Sequence, residues 1–348
     1  MSPVSKVRDG AVSVITVDNS PVNALSQSVR EGLVTAIEAA EADKECAAIV
    51  ITCAGRTFIA GADIKEFGKP PLEPYLPDVV ARIEACEKPV IAAIHGTALG
   101  GGFEVALGCH YRIALSSAAI GLPEVNLGLL PGATGTQRLP RLIGAGNALD
   151  IMLTGKPVRA DRALEYGALD AVVDGTDLRA AAISFAEECV AKGPRRIRDM
   201  TVPEVDAGLF DTTRKKIAPK TRGLISPEKI IRAVELATET GFDEGCAAER
   251  ELFLECMSSP QSSGLRHAFF AERGVAKVPG LGKETPQRDI ASVAVIGAGT
   301  MGAGIAYSCL SSGLQATLLD INEEGLARGE RTVRGLYEGG VKRGKVAA

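Results

Sequence analysis

The chain has 348 residues, 46% of them hydrophobic, with 39 Lys and Arg against 43 Asp and Glu for a net charge of −4. That length allows two domains with a sizeable core, the apolar content excludes a disordered chain, and the charge excludes a general basic field for nucleic acid. No apolar run reaches transmembrane length, MSPVSKVRDG lacks an apolar signal region, and the eight cysteines show no CxxC spacing, so no membrane span, secretory leader, metal site or redox motif is expected.

Residues 11–19, AVSVITVDN, alternate β-branched with small or polar residues and read as a strand. SQSVREGLVTAIEAAEAD follows at helical spacing behind a potential N-cap, Ser26. AAIVITCAG is almost wholly apolar, as in a strand covered on both faces. VVARIEACE reads as a helix, KPVIAAIHGTALGGG as a strand entering a glycine turn, GGFEVALGC as a helix, and YRIALSSAAIGLPEV as strand and loop. This alternation predicts an α/β domain with a largely parallel sheet over residues 1–195. Residues 196–275 carry apolar residues at i, i+3 and i+4 and predict amphipathic helices. Residues 276–289 are rich in proline, glycine and charge and read as a linker to a last region, 290–348.

Three stretches of the first region carry chemistry. In FIAGADIKEF small residues let backbone approach a ligand before a helix starts, and exposed N–H groups at such a bend stabilise an oxyanion. HGTALGGGFEVALGC adds free N–H groups beside Glu104, and GLPEVNLGLLPGATGTQRL places Glu124 before a second glycine-rich helix start. Each has an ordinary explanation alone, since glycine turns before helices are common and an acid in a first turn stabilises the dipole.

In order and spacing the three motifs resemble the crotonase (enoyl-CoA hydratase/isomerase) superfamily. The resemblance implies a spiral of ββα units and an acyl-CoA thioester substrate, with CoA entering as part of that substrate. It places the thioester oxyanion hole at the N–H groups of Ala62 and Gly101, the adenine near the Ala60 backbone with Asp63 and Ile64 beside it, and the two hydratase glutamates at Glu104 and Glu124. A helix starting near Gly132 is expected to point its positive end at the thioester, and Arg56 and Lys65, which flank the first motif, to meet the CoA phosphates. A single oxyanion donor is worth ~2.7–4 kcal/mol. Two carboxyl groups in unlike environments divide acid and base work; Glu124 is assigned to proton exchange with substrate and Glu104 to activating water. His95, at the end of an apolar strand, reads as a structural histidine, and GAGNAL at Gly144 as a helix junction.

In the last region SVAVIG is a buried-strand run, and Gly297, Gly299 and Gly302 satisfy G-x-G-x-x-G before a helix and a second strand that ends at Asp320. Strand, glycine turn, helix and an acid ~20 residues on form the dinucleotide fingerprint, with the acid on the ribose favouring NAD. VAVIGAGTMGAGIA…LLDIN resembles the start of the L-3-hydroxyacyl-CoA dehydrogenase family, and the order of regions resembles the multifunctional enzymes of fatty-acid β-oxidation. A partial Rossmann βαβ unit is therefore expected. That family uses a histidine base downstream of the glycines, whereas the three histidines here, His95, His110 and His267, all precede Gly297; hydride transfer by this chain is not expected.

The leading expectation is enoyl-CoA hydration with isomerisation as a second activity. Thioester hydrolysis or decarboxylation on the same oxyanion hole, or CoA or NAD binding without turnover, are the alternatives. Resemblance allows a monomer or a trimer, and a cytoplasmic setting, or a peroxisomal one in a eukaryote.

Overall fold

Along residues 12–17 and 48–53 β-branched residues occupy both phases of the pleat, and the structure buries both faces. It is a computed structural model that describes residues 2–344 apart from 67, 68, 176, 222, 276, 277, 283 and 287. Two compact units divide it, Met1–Val275 and Ala276–Ala348.

In the first unit the elements run β1 (Val4–Asp9), β2 (Val12–Val17), α1 (Gln27–Ala42), β3 (Ala48–Cys53), α2 (Leu76–Glu84), β4 (Val90–Ile94), β5 (Thr97–Leu99), α3 (Gly101–Gly108), β6 (Tyr111–Leu115) and β7 (Ala119–Gly121). They continue with α4 (Gly135–Ile143), α5 (Ala145–Thr154), β8 (Val158–Arg159), α6 (Ala160–Glu165), β9 (Ala171–Val173), α7 (Leu178–Val190), α8 (Leu209–Ile217), α9 (Ser226–Glu239), α10 (Phe242–Ser258) and α11 (Pro260–Val275). The run expected as one strand over KPVIAAIHGTAL is two, β4 and β5, separated at Gly96. β1, which the sequence reading passed over, pairs antiparallel with β2.

A six-stranded sheet has the order β1-β2-β3-β4-β6-β9, parallel from β2 onward, and β5-β7-β8 form a second sheet. Alternate residues go to opposite cores. Ile49 and Ile51 of β3 and Ala92 and Ile94 of β4 enter the large cluster, while Ala48, Val50, Ile91 and Ala93 meet Leu178, Ala182 and Ala186 of α7. Ile197, Ile230, Val234 and Cys256 join that large cluster, so the helical stretch after residue 195 shares the core of the sheet region. The neutral, buried cysteines fit this packing; burial pushes the Cys109 thiol up to about 12.

Two buried arginines fix the helices that carry the site. Arg112, fully buried, donates to the carbonyls of Ala106, Cys109 and Ala168 and so closes the C-terminus of α3. Arg138 of α4 pairs with Glu84 of α2 at 2.5 Å, both side chains out of water. Gly144, with φ 82°, separates α4 from α5.

The second unit has β10 (Ser292–Ile296), α12 (Thr300–Ser311), β11 (Gln315–Leu319) and α13 (Glu323–Lys342), with β10 and β11 parallel. Together they form a right-sized strand–helix–strand nucleotide unit. No helix among the described residues is long and apolar enough to cross a membrane.

Candidate active site

The short strand β5 delivers Gly100 with φ 54°. A side chain there would meet Glu124 Oε1 at 2.9 Å, so glycine is required both by the left-handed backbone and by the carboxyl packed on it. Gly101 then opens α3, and a first helical residue has no intrahelical acceptor for its N–H. The Cβ position of Gly101 lies 3.3 Å from the nitrogen of Ala62, which brings the two N–H-bearing turns together. On the Ala62 side the turn is pinned by Leu25, whose N–H donates to Gly61 O at 3.0 Å. Neither the Ala62 nor the Gly101 N–H has a protein acceptor among the described residues.

These turns border a cavity of about 950 Å³. Ala60, Ala62, Asp63 and Ile64 of the first motif line it, with Gly101 and Glu104 of the second and Glu124 and Gly132 of the third. Sequence positions far apart are thus gathered as expected, with two corrections. Arg56 is exposed and does not line the cavity; the cations that do are Arg30, Lys69, Arg250 and Arg273. Arg56 sits beneath the β4–β5 bend, its carbonyl facing Gly96. The side chain of Lys65 lies outside the described residues. The helix expected near Gly132 begins at Gly135, and Gly132 packs against the ring of Phe253.

The start of α4 is where the structure departs most from expectation. Its free N–H groups go to carboxylates of the protein and not toward the cavity. Ala133 and Gly135 donate to Glu104 Oε1 at 2.8 and 2.9 Å. Thr134 and Thr136 donate to Glu249 Oε1 and Oε2 at 2.7 and 3.0 Å, and the Thr136 hydroxyl adds a contact of 2.5 Å. Thr134 makes this alternation possible by adopting φ 74° and ψ 13°. A β-branched residue in that region is strained, at a cost of ~1–3 kcal/mol, and such strain persists only where surrounding contacts impose it. Glu249, from α10, is 1% exposed and was missed in the sequence, where ERELFLEC offers several glutamates and only packing decides which one turns inward.

Three buried carboxyl groups in one region cannot all ionise. Burial pushes Glu104 up to about 7, against the pull of its two N–H donors and Arg138. Burial and then the Glu104 charge raise Glu249 to about 8. Burial and then the Glu104 charge also hold Glu124 well above the ordinary carboxyl range, and its Oε2 is buried with no hydrogen-bond partner. The three carboxyls therefore titrate as one coupled cluster that holds protons at a pH where free carboxyls have lost them. His95 lies 3.2 Å from Gly55 O, in a structural contact, and does not line the cavity. The stretch KGPRRIR (residues 192–198) is a cluster of cations in the sequence, and its Arg195, Arg196 and Arg198 pair with Asp170, Glu87 and Asp243.

Comparison with known proteins gives this geometry its setting. The enoyl-CoA hydratase/isomerase family matches residues 8–222. The chain belongs to that family. Residues 292–348 match the 3-hydroxyacyl-CoA dehydrogenase NAD-binding domain. A peroxisomal bifunctional enzyme of Danio rerio is 42% identical over 346 residues, covering 97% of this chain and 48% of the relative; that of Homo sapiens is 40% identical over 339 residues, covering 94% and 46%. The chain spans about half the length of these curated relatives. Among solved structures, a carnitinyl-CoA hydratase from Mycobacterium avium is 31% identical with a TM-score of 0.57, covering 78% of this chain and 97% of that one.

Within this hydratase/isomerase family member the second unit carries a separate, backbone-built site. The Cβ position of Gly302 falls 1.7 Å from Gly297 O, so only glycine lets α12 pack on the turn. Around Gly299 nothing lies within 4 Å of that position, which leaves room for a phosphate to reach the backbone. Asp320 at the end of β11 accepts from Ala298 N–H at 2.6 Å and from Ile321 N–H at 2.8 Å, and these bonds hold its carboxyl below the usual range. The aspartate expected to meet the ribose thus also braces the glycine turn. These residues fit NAD.

Proposed function

We propose that the first unit hydrates 2-enoyl-CoA thioesters in fatty-acid β-oxidation. The observation that carries this reading is one cavity holding two donor N–H groups without acceptors among the described residues and two carboxyls, Glu104 and Glu124, that burial holds above the ordinary carboxyl range. The thioester oxygen accepts from Ala62 and Gly101, which draws electron density from the β-carbon. Water bonds that carbon while its proton passes to Glu104. The electron pair of the double bond moves onto the thioester oxygen as an enolate, which then takes the Glu124 proton at the α-carbon. Exchange of the proton from Glu104 to Glu124 restores the starting state. Each carboxyl has the environment its task needs, and separating two acids in this way is a general route to acid–base work at neutral pH.

Isomerisation of a 3-enoyl thioester is a second reading. It is favoured by the unpartnered, buried Oε2 of Glu124, which in the ionised carboxylate takes a proton from C2 and returns it at C4. The exposed cations Lys69, Arg250 and Arg273 are assigned to the CoA phosphates in place of Arg56. Gly297, Gly299, Gly302 and Asp320 would hold NAD, which when bound supplies a hydride acceptor. The names of the relatives support a peroxisomal setting in a eukaryote.

Loss of enoyl-thioester absorbance from crotonyl-CoA tests the reading. Turnover by the wild-type chain that collapses in Glu104→Gln and Glu124→Gln is expected; an inactive wild type, or variants as fast as it, would overturn it.

A further inference from the structure

Glu249 does not line the cavity, yet it controls the backbone that holds the acid which does. Four successive N–H groups at the start of α4 alternate between two carboxylates, 133 and 135 to Glu104 and 134 and 136 to Glu249. The alternation requires the left-handed Thr134; its carbonyl accepts from the Gln137 and Arg138 N–H groups and its hydroxyl meets Ala133 O and Arg138, while Glu249 takes its N–H. Both donors to Glu104 therefore depend on a side chain that arrives from α10, more than a hundred residues away in sequence. They converge on Oε1 alone, and Oε2 of Glu104 accepts no hydrogen bond among the described residues.

We propose that Glu249 is a positioning residue for Glu104: by taking the Thr134 and Thr136 N–H groups it aims those of Ala133 and Gly135 at one carboxyl oxygen and leaves the other for the reacting water. The proposal rests on the hydratase reading and adds a third acid to it. It also makes the helical stretch after residue 195 part of the catalytic machinery, because α10 supplies the side chain that shapes the turn.

Two effects of removing Glu249 act in opposite directions on Glu104. The ionisable groups that face this cluster are Glu104 from α3, Glu124 from the segment before Leu127, Arg138 from α4 and Cys246 from α10 itself; the Ala233 carbonyl of α9 accepts from Gln137. Where Glu249 is ionised, loss of its charge eases ionisation of Glu104, whereas loss of the two aligned N–H donors hinders it. Positioning and simple charge repulsion thus predict opposite shifts.

The experiment measures kcat and KM for crotonyl-CoA hydration against pH in the full chain and in Glu249→Gln, where an amide replaces an acceptor oxygen with a donor. We expect kcat to fall ~10-fold or more, as for a catalytic group displaced by a fraction of an ångström, with KM within about twofold, since uniform binding is untouched. The acid limb should move to higher pH. An acid limb that moves to lower pH, or an unchanged kcat, would overturn the proposal. If Glu249→Gln does not fold, Thr136→Val, which removes the hydroxyl contact and keeps both N–H groups, should move kcat and the acid limb the same way by less; no movement overturns it. Wild-type turnover in the same assay tests the hydratase reading separately. Should that be absent, carboxyl titration of Glu104 by carbon-13 NMR still decides the role of Glu249, an unshifted or lowered midpoint in the variant counting against it.

Discussion

The two units carry two kinds of site. In the second, the fingerprint is made of backbone: glycines that permit close approach, and Asp320 bonded to the turn only 22 residues before it. Its sheet has two strands, and Ile296 and Ile321 are 88% and 99% exposed. In the first, the backbone N–H groups of Ala62 and Gly101 stand beside carboxyl side chains that the fold takes out of water. Glu104, Glu124 and Glu249 come from three elements, and their environments depend on the core between a six-stranded sheet and the helices around it. A binding turn is a local object; a set of acids with separated protonation is a property of the whole packed unit.

The sharpest way to break this contrast is to neutralise the acids. Glu104→Gln and Glu124→Gln should each lower kcat for hydration by ~10²–10⁴-fold with the fold retained, read by crotonyl-CoA turnover and circular dichroism. A loss of only a fewfold would mean that the side-chain site is not the engine of the first unit. In the second unit the equivalent blow is steric. Gly302→Val puts a side chain 1.7 Å from Gly297 O, and overpacking of that kind should cost ~1–3 kcal/mol or more. Calorimetric titration with NAD should show binding by the wild type and none by the variant; retained affinity would refute a backbone-built site.

Next in size is a pH effect on stability that only the first unit should show. Glu104 titrates near 4.5 when unfolded and at about 7 when folded, so between these values the unfolded chain has released a proton that the folded chain keeps. Stability therefore falls as pH rises through this window, by up to ~1.4 kcal/mol per pH unit, and Glu249 extends the window to about 8. Denaturant melts of wild type against Glu104→Gln, which mimics the protonated form, should show the wild type losing ground as pH rises. A constant difference between the two would contradict it. The smallest effect belongs to the open face of the second unit: Ile321→Ser, at a position 99% exposed, should change stability by less than ~0.5 kcal/mol in the same melts.

How far each site was legible follows from the same contrast. Gly297, Gly299, Gly302 and Asp320 could be read directly, because their spacing is set by one turn, one helix and two strands. Ala62, Gly101, Glu104 and Glu124 were legible because each belongs to a short motif of small residues around a helix start, and the cavity gathers them. Arg56 was misplaced because flanking a motif says nothing about which side of the backbone a side chain takes. The start of α4 was misread by three residues because PGATG does not reveal that Thr134 would enter a left-handed conformation. Glu249 was not legible at all.

Sequence by itself determined the strand–helix alternation, both glycine-rich turns and the places of Glu104 and Glu124 beside them, since these rest on side-chain period, backbone freedom and spacing along one segment. Tertiary structure alone decided how far burial raises each carboxyl, where the helix N–H groups are spent and which distant glutamate meets the turn. Those depend on how much water is excluded and on which donors reach each oxygen, and both are set by residues that meet only when the sheet and the later helices share one core.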